Sequence, residues 1–320
     1  MRYDTVVVGR PTCDLIFTGM PEWPRAGTES YASGLTIAAG GAFNVAAATS
    51  RLGLRVAFVG LLGSDTLSRF VLEQFASEGV STEYLSVLDR GLPGVSVAFS
   101  VNEDRGFVTY ESEAEALQAA MSDQVVADLA AIDARHVHVH LAPWLTRVAE
   151  AARARGMSLS ADAWGWEPWL RSAAVGEVLH VADLLLVNEA EALCLTGAPD
   201  ARSAAASLNE TAGHVVVKCG RKGALAAIGG RLHEVATDCV PVLDATGAGD
   251  CFNAGYLYGW GRGLDPETCL VLGNLCGGCG VGAVGGYQGS PTEAELIALA
   301  RDVGVTLEPL SARPPGNGGE

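Results

Sequence analysis

The chain has 320 residues, 49% of them hydrophobic and only 18% charged, enough apolar side chain for one large α/β core. Its net charge of −16 argues against nucleic acid and anionic membrane surfaces as partners, because phosphate backbones are held by basic patches. Small nucleotides stay open, since backbone N–H groups, helix N-termini and metal ions can hold them.

The start, MRYDTVVVGRPTCD, places an aspartate before a short apolar run and reads as a first strand, not a secretion signal. No window has the length of a membrane span, and a cytoplasmic protein is expected. The runs TVVVG, RVAFVG, HVHVHL, MSLSAD, ADLLLVN and HVVVKCG are short, rich in β-branched residues or leucine, and bounded by turn residues. Strands buried on both faces read this way. Between them lie FNVAAATSRLG, LSRFVLEQFASEG, LTRVAEAARARG and AEALCLTG, which have helical length and composition. Strand–helix alternation predicts an α/β fold with a mostly parallel sheet covered on both sides. Residues 25–37 and 94–110 instead alternate apolar and polar residues, which predicts a small antiparallel lid with one wet face. One domain over 1–310 is expected, with a flexible Pro/Gly-rich tail at 311–320.

Three other patterns have structural readings. Cys276-Gly-Gly-Cys279 has no second pair at zinc spacing and reads as small apolar packing. His136, His138 and His140 share one face of a strand, where side chains at i and i+2 run parallel rather than converge. With no acidic residue close by in sequence, they read as structural rather than metal ligands. The tryptophans of DAWGWEPW read equally as packing or as a wall of a substrate site.

The segment LDATGAGDCFNAGYLYG looks like a phosphate-binding loop without the usual lysine. Gly247 and Gly249 permit turns that let consecutive N–H groups face one concavity, and a helix starts there with its positive end. Such a nest suits a phosphoryl group in transfer, and Asp250 could then act as base toward an attacking hydroxyl. The same Asp250 reads equally as a helix N-cap. A dinucleotide loop fits poorly, since its glycine spacing differs and it belongs early in a βαβ unit.

Asp244-Ala-Thr-Gly-Ala-Gly-Asp250 resembles the C-terminal signature of the ribokinase-like carbohydrate kinases, the PfkB family. AAGGAFNVAAATSRLG, with Gly40, Gly41 and Asn44, resembles the N-terminal signature, and Asn188-Glu-Ala-Glu191 resembles the NxxE motif. Lys218-Cys-Gly220-Arg-Lys-Gly223 resembles the nucleotide-side turn. The resemblance implies a three-layer α/β/α core with a β lid. It also implies Asp250 as base, with the N–H groups of Gly247, Ala248 and Gly249 as anion hole. Acceptor contacts would come from Asp14, Gly40, Gly41 and Asn44. Asn188, Lys218, Gly220, Gly223 and Asn274 would lie on the ATP side. Glu191 would hold Mg²⁺ through water, and Asp244 resembles a ligand of a monovalent cation, K⁺ in some members. Lid pairing across a homodimer is also implied. Ala39 departs from the family pattern where a glycine is usual.

The family's DxNxR stretch here is Asp162-Ala-Trp-Gly-Trp166, which lacks the arginine that would clamp an anion. A neutral acceptor such as a ketose, aldose or polyol is therefore expected. The alternative within the fold is a nucleoside kinase, with Phe17, Phe43, Phe99 or Phe107 stacking the base. A non-catalytic sugar sensor and a nicotinamide dehydrogenase are further readings; an intact DATGAGD speaks against the first and the glycine spacing against the second.

Overall fold

The β-branched runs stack side by side because each must bury apolar side chains on both faces. In chain order the strands are β1 (Tyr3–Val8), β2 (Pro11–Met20), β3 (Gly34–Gly41), β4 (Val56–Leu62), β5 (Ser81–Val87), β6 (Gly94–Val101) and β7 (Asp104–Glu111). They continue with β8 (Ala134–His140), β9 (Ser158–Asp162), β10 (Leu184–Asn188), β11 (His214–Lys218), β12 (Ala224–Ile228) and β13 (Arg231–Val235). The computed structural model describes residues 2–101, 104–111, 114–163, 167–238 and 240–310. The expected tail at 311–320, with Trp164 and Trp166, lies outside the described residues.

The main sheet has nine strands in the order β13-β12-β11-β10-β9-β8-β1-β4-β5. Pairings from β11 through β5 are parallel, whereas β11–β12 and β12–β13 are antiparallel. Alternate residues enter opposite cores: Val6 and Val8 pack on one face and Val7 on the other. The first face is covered by helices such as Leu145–Ala154 and Ala201–Asn209. Phe43–Arg51, Ala248–Trp260 and Pro266–Gly280 cover the second. The result is the expected α/β/α sandwich with a mostly parallel sheet. No helix among the described residues is long and apolar enough to cross a membrane.

Helices Ala248–Trp260 and Pro266–Gly280 approach closely because small residues line their contact. Cys276 is fully buried there, and a Cβ added to Gly255 would stand 2.7 Å from its Sγ. It is a free thiol, as is Cys279.

The lid differs from expectation in composition and direction. Its sheet runs β3-β2-β6-β7, and β2 pairs parallel with β6, so it is mixed rather than antiparallel. β2 belongs to it although its sequence continues the first strand, and residues 25–33 carry no strand. The cause is the break at Gly9–Arg10, after which the chain leaves the main sheet.

From β1 the chain builds outward through β4 and β5, then returns to place β8 on the other side of β1. The carboxyl ends of β1 and β8 therefore flank the reversal of strand order, where open α/β sheets bind ligands.

Candidate active site

The loop DATGAGD meets the sheet at this reversal. The helix Ala248–Trp260 begins three residues before the apolar run, with Gly247 as N-cap at φ 67° and Asp250 in the first turn. Asp250 is therefore not the cap. Gly247 is required twice over: its left-handed backbone suits glycine, and a Cβ would fall 1.8 Å from the Gly286 carbonyl oxygen. N–H groups of a first helical turn lack intrahelical partners and carry the positive end of the dipole. At Gly249 the issue is space, because a Cβ would stand 3.3 Å from Lys218 Nζ. The lysine missing from the loop's sequence thus arrives from the end of β11.

The Asp250 carboxylate accepts a 3.0 Å hydrogen bond from Asn44 Nδ2. Burial pushes its pKa up and Asp162 adds to this, against Asn44, His140 and Lys218, which pull it down. A helix start favours the charged form of a carboxylate, but burial among other carboxylates outweighs that here.

Around it stand the expected acceptor residues. Asp14 lies within β2, on the lid rather than at a core strand end, and takes a 2.8 Å bond from Thr12 Oγ1. Burial pushes it up to about 6, Thr12 opposes this, and Asp250 and Asp244 raise it further. Gly40 is the residue that admits it, since a Cβ there would stand 2.0 Å from Asp14 Oδ2. Gly41 ends β3 against the Arg10 carbonyl, and Ala39 points into the core, away from this corner. Asn44 is the second residue of its helix, not the cap, which is Ala42. Its Oδ1 is buried with no hydrogen-bond partner.

Strand register sorts the four phenylalanines. Asp14, Ile16, Ala98 and Phe107 share the lid face that packs on Val284 of the core. Phe17 and Phe99 stack on each other at 6.0 Å on the opposite face, and Phe43 is fully buried in the core. Only Phe107 among them shares the Asp14 face.

On the other side of Asp250 lies a cleft of about 390 Å³ lined by Lys218, Gly220, Val240, Phe252, Asn274 and Gly277, among others. Asn274 Nδ2 donates to the Val235 carbonyl at 3.2 Å. Gly223 does not line the cleft; its Cβ would meet the Val235 carbonyl oxygen at 2.1 Å, so it serves the β-hairpin edge.

Asn188 and Glu191 form a reciprocal capping box, each side chain accepting the other's N–H at 2.8 Å. Burial raises the Glu191 pKa most, and Lys218 lowers it. Asp244 is tied into the loops, accepting from the N–H of Thr246 at 2.7 Å and of Gly285 at 3.0 Å. Among the described residues no cluster of three His, Cys, Asp or Glu could hold a metal ion. Glu191, already engaged in its capping box, suits a metal held mainly by phosphate and water.

Sequence reasoning missed how HVHVH is used. The β8–β9 register pairs His136 with Ser158, His138 with Ser160 and His140 with Asp162. His136 bonds Ser158 and Ser160, His138 bonds Ser160, and His140 Nδ1 contacts Asp162 Oδ1. Asp162 also accepts from Asn253 Nδ2 at 2.9 Å, and Asn253 Oδ1 accepts from Lys218 Nζ at 3.0 Å. The matching polar alternation of SLSAD was the available signal.

The model of the pfkB family of carbohydrate kinases matches residues 5–293, and the chain belongs to that family. It is 26% identical to a ribokinase of Haemophilus influenzae over 306 residues, 93% of this chain and 98% of the relative. It is 28% identical to a cytidine kinase of Thermococcus kodakarensis over 282 residues, 84% of this chain and 93% of the relative. Its fold matches that of Arabidopsis thaliana ribokinase complexed with ribose and ATP at a TM-score of 0.77 and 24% identity, covering 93% of this chain and 99% of that one. The chain is thus a kinase of the ATP-dependent class that acts on sugars or nucleosides.

Asp162 is held well below the usual carboxylate range by His140 and His138, against a large opposing effect of burial. A depressed folded pKa contributes stability above the unfolded value of about 3.9 and loses it as pH falls. Urea midpoints should therefore fall as wild type is acidified below about pH 4, and fall less in Asp162→Asn, which starts lower at neutral pH. Equal acid slopes in both would contradict this electrostatic role.

Proposed function

We propose that the protein transfers the γ-phosphoryl group of ATP to a hydroxyl of a neutral sugar or polyol. The observation that carries the reading is a convergence: Asp250, held by Asn44, the opening N–H groups of its helix and Lys218 Nζ meet beside the cleft that Lys218 and Gly249 line. Asp250 is the general base, and the N–H groups of Gly247, Ala248 and Gly249 hold the transferring group. The acceptor oxygen forms its bond to phosphorus as the bond to the β-phosphate oxygen breaks; its proton passes to the Asp250 carboxylate, and ADP leaves. A raised pKa makes Asp250 a stronger base once ionised. Lys218 stands where it offsets negative charge on the transferring group.

Asp14, Gly40, Gly41 and Asn44 form the acceptor side. The partnerless Oδ1 of Asn44 suits a hydroxyl donor, and a carboxylate such as Asp14 can accept from two hydroxyls. Asn188, Gly220 and Asn274 serve the ATP side, where mostly apolar walls suit a purine. Magnesium, when bound, would neutralise phosphate charge, and Glu191 would hold it through water. Asp244 serves the loops by the same geometry, and potassium is given no step. Closure of the lid would exclude water, which otherwise competes as acceptor.

A nucleoside acceptor is the second reading, favoured by the likeness to a cytidine kinase. Against it, only one of the four candidate aromatics shares the lid face of Asp14. The lid's other face exposes Leu35, Ile37, Val108 and Tyr110, an apolar area that supports a homodimer through the lid. A charge placed there by Ile37→Glu should convert a dimer to monomer in sedimentation velocity; a wild type that sediments as a monomer at micromolar concentration would contradict the homodimer.

A coupled assay of ADP release with D-fructose and D-ribose against cytidine and adenosine tests the reaction. Sugars should support turnover, and Asp250→Asn should lose it by about a hundredfold or more while sugar binding persists. Asn44→Ala removes a bond that favours the charged carboxylate, so the acid limb of the rate profile should move to higher pH. Turnover with nucleosides alone would overturn the sugar reading, and an active Asp250→Asn would overturn the mechanism.

A further inference from the structure

His140 stands apart from the two histidines that precede it on β8. His136 and His138 are buried and bonded to serines of β9. His140 is the last residue of β8, at the reversal of strand order, and its side chain is 31% exposed. Asp162 beneath it is only 4% exposed and is fixed by Asn253. A carboxylate can only accept, so the contact with Asp162 places a proton on Nδ1 and sets the ring's orientation. Nε2, on the far side of the ring, has no hydrogen-bond partner among the described residues.

The ring also stands at the acceptor corner. A Cβ on Gly9 would lie 3.8 Å from His140 Cδ2 and 2.4 Å from Ala42 Cβ, so the ring and Ala42 both stand beside Gly9. Ala42 follows Gly41 and lies two residues before Asn44. Charged groups reach the ring from the surrounding elements: Asp162 from β9, Lys218 from β11 and Asp250 from its helix. Glu191 acts from the helix that follows β10, and His138 lies on the same strand.

We propose that His140 is an acceptor-binding residue, its Nε2–H donating to an oxygen of the acceptor while Asp162 fixes the ring. The proposal rests on the kinase reading above and assigns it one specificity contact. With two carboxylates, Asp14 and Asp250, already facing the acceptor, a single imidazole donor suits a hydroxyl-rich neutral molecule better than a sugar acid. Asp162 raises the affinity of the ring for its second proton, against burial and Lys218. Below its raised pKa the ring donates from Nε2; above it Nε2 is bare and the contact is lost, while Nδ1–H stays with Asp162.

Steady-state kinetics of wild type, His140→Ala and His140→Gln test this, each below its own Tm. The acceptor is whichever of D-ribose, D-fructose and cytidine wild type turns over fastest. His140→Ala should raise the acceptor KM roughly ten- to hundredfold, the range for a hydrogen bond to a charged group, with the ATP KM little changed. His140→Gln keeps a donor of similar reach and should recover part of the loss. In wild type the acceptor KM should climb as pH rises, and in His140→Gln it should stay flat. An unchanged acceptor KM in His140→Ala, or an equal rise in both KM values, overturns the proposal and leaves the kinase reading intact. If wild type turns over none of the three, calorimetric titration of each sugar replaces the rate; a sugar bound by wild type and lost in His140→Ala supports the contact. Absence of binding by wild type overturns this proposal together with the kinase reading.

Discussion

The site depends on holding several carboxylates together at the start of one helix. Burial raises the cost of ionising Asp250, Asp14 and Glu191, and nearby carboxylates add to it: Asp162 at Asp250 and Glu191, Asp250 and Asp244 at Asp14. At Asp250 the upward push of burial and Asp162 is opposed by Asn44, His140 and Lys218, and the positive end of the helix adds to that opposition. Asp162, by contrast, has two histidines and an asparagine as partners and serves as a fixed anchor.

Sheet geometry delivers these groups. His140, Asp162, Asn188 and Lys218 are the terminal residues of β8, β9, β10 and β11, four neighbours in one parallel run. Parallel strands ending together present their last side chains along one edge, and the helix Ala248–Trp260 crosses that edge. Small residues let it sit there: Gly249 beside Lys218 at the strand edge, Gly247 against Gly286, and Gly255 against Cys276 of the next helix. The lid adds Asp14 from the other side through the close fit of Gly40.

The parallel core was legible because strands such as TVVVG and ADLLLVN must bury both faces, and continuous apolar runs say so directly. The edge hairpin β12–β13 was not, since ALAAI and RLHEV lack the β-branched density of the core strands. β2 was hidden for a related reason: its start continues the first strand without a turn residue stronger than Gly9. Within the site, DATGAGD declared itself through glycine spacing, but the reading of Asp250 as an N-cap put the helix start too late, because GAG reads as loop. The His140–Asp162 pair lies 22 residues apart and exists only through β8–β9 register. A single strand's periodicity cannot carry that, although the matched alternations HVHVH and SLSAD together do.

The most direct measurement is a crystal structure of the protein with ADP, aluminium fluoride as a mimic of the phosphoryl group in flight, and a bound sugar. The fluoride group should sit on the N–H groups of residues 247–249, with Lys218 Nζ beside it and Asp250 against a sugar hydroxyl. A planar fluoride held elsewhere, or a sugar hydroxyl out of reach of Asp250, would contradict the arrangement described.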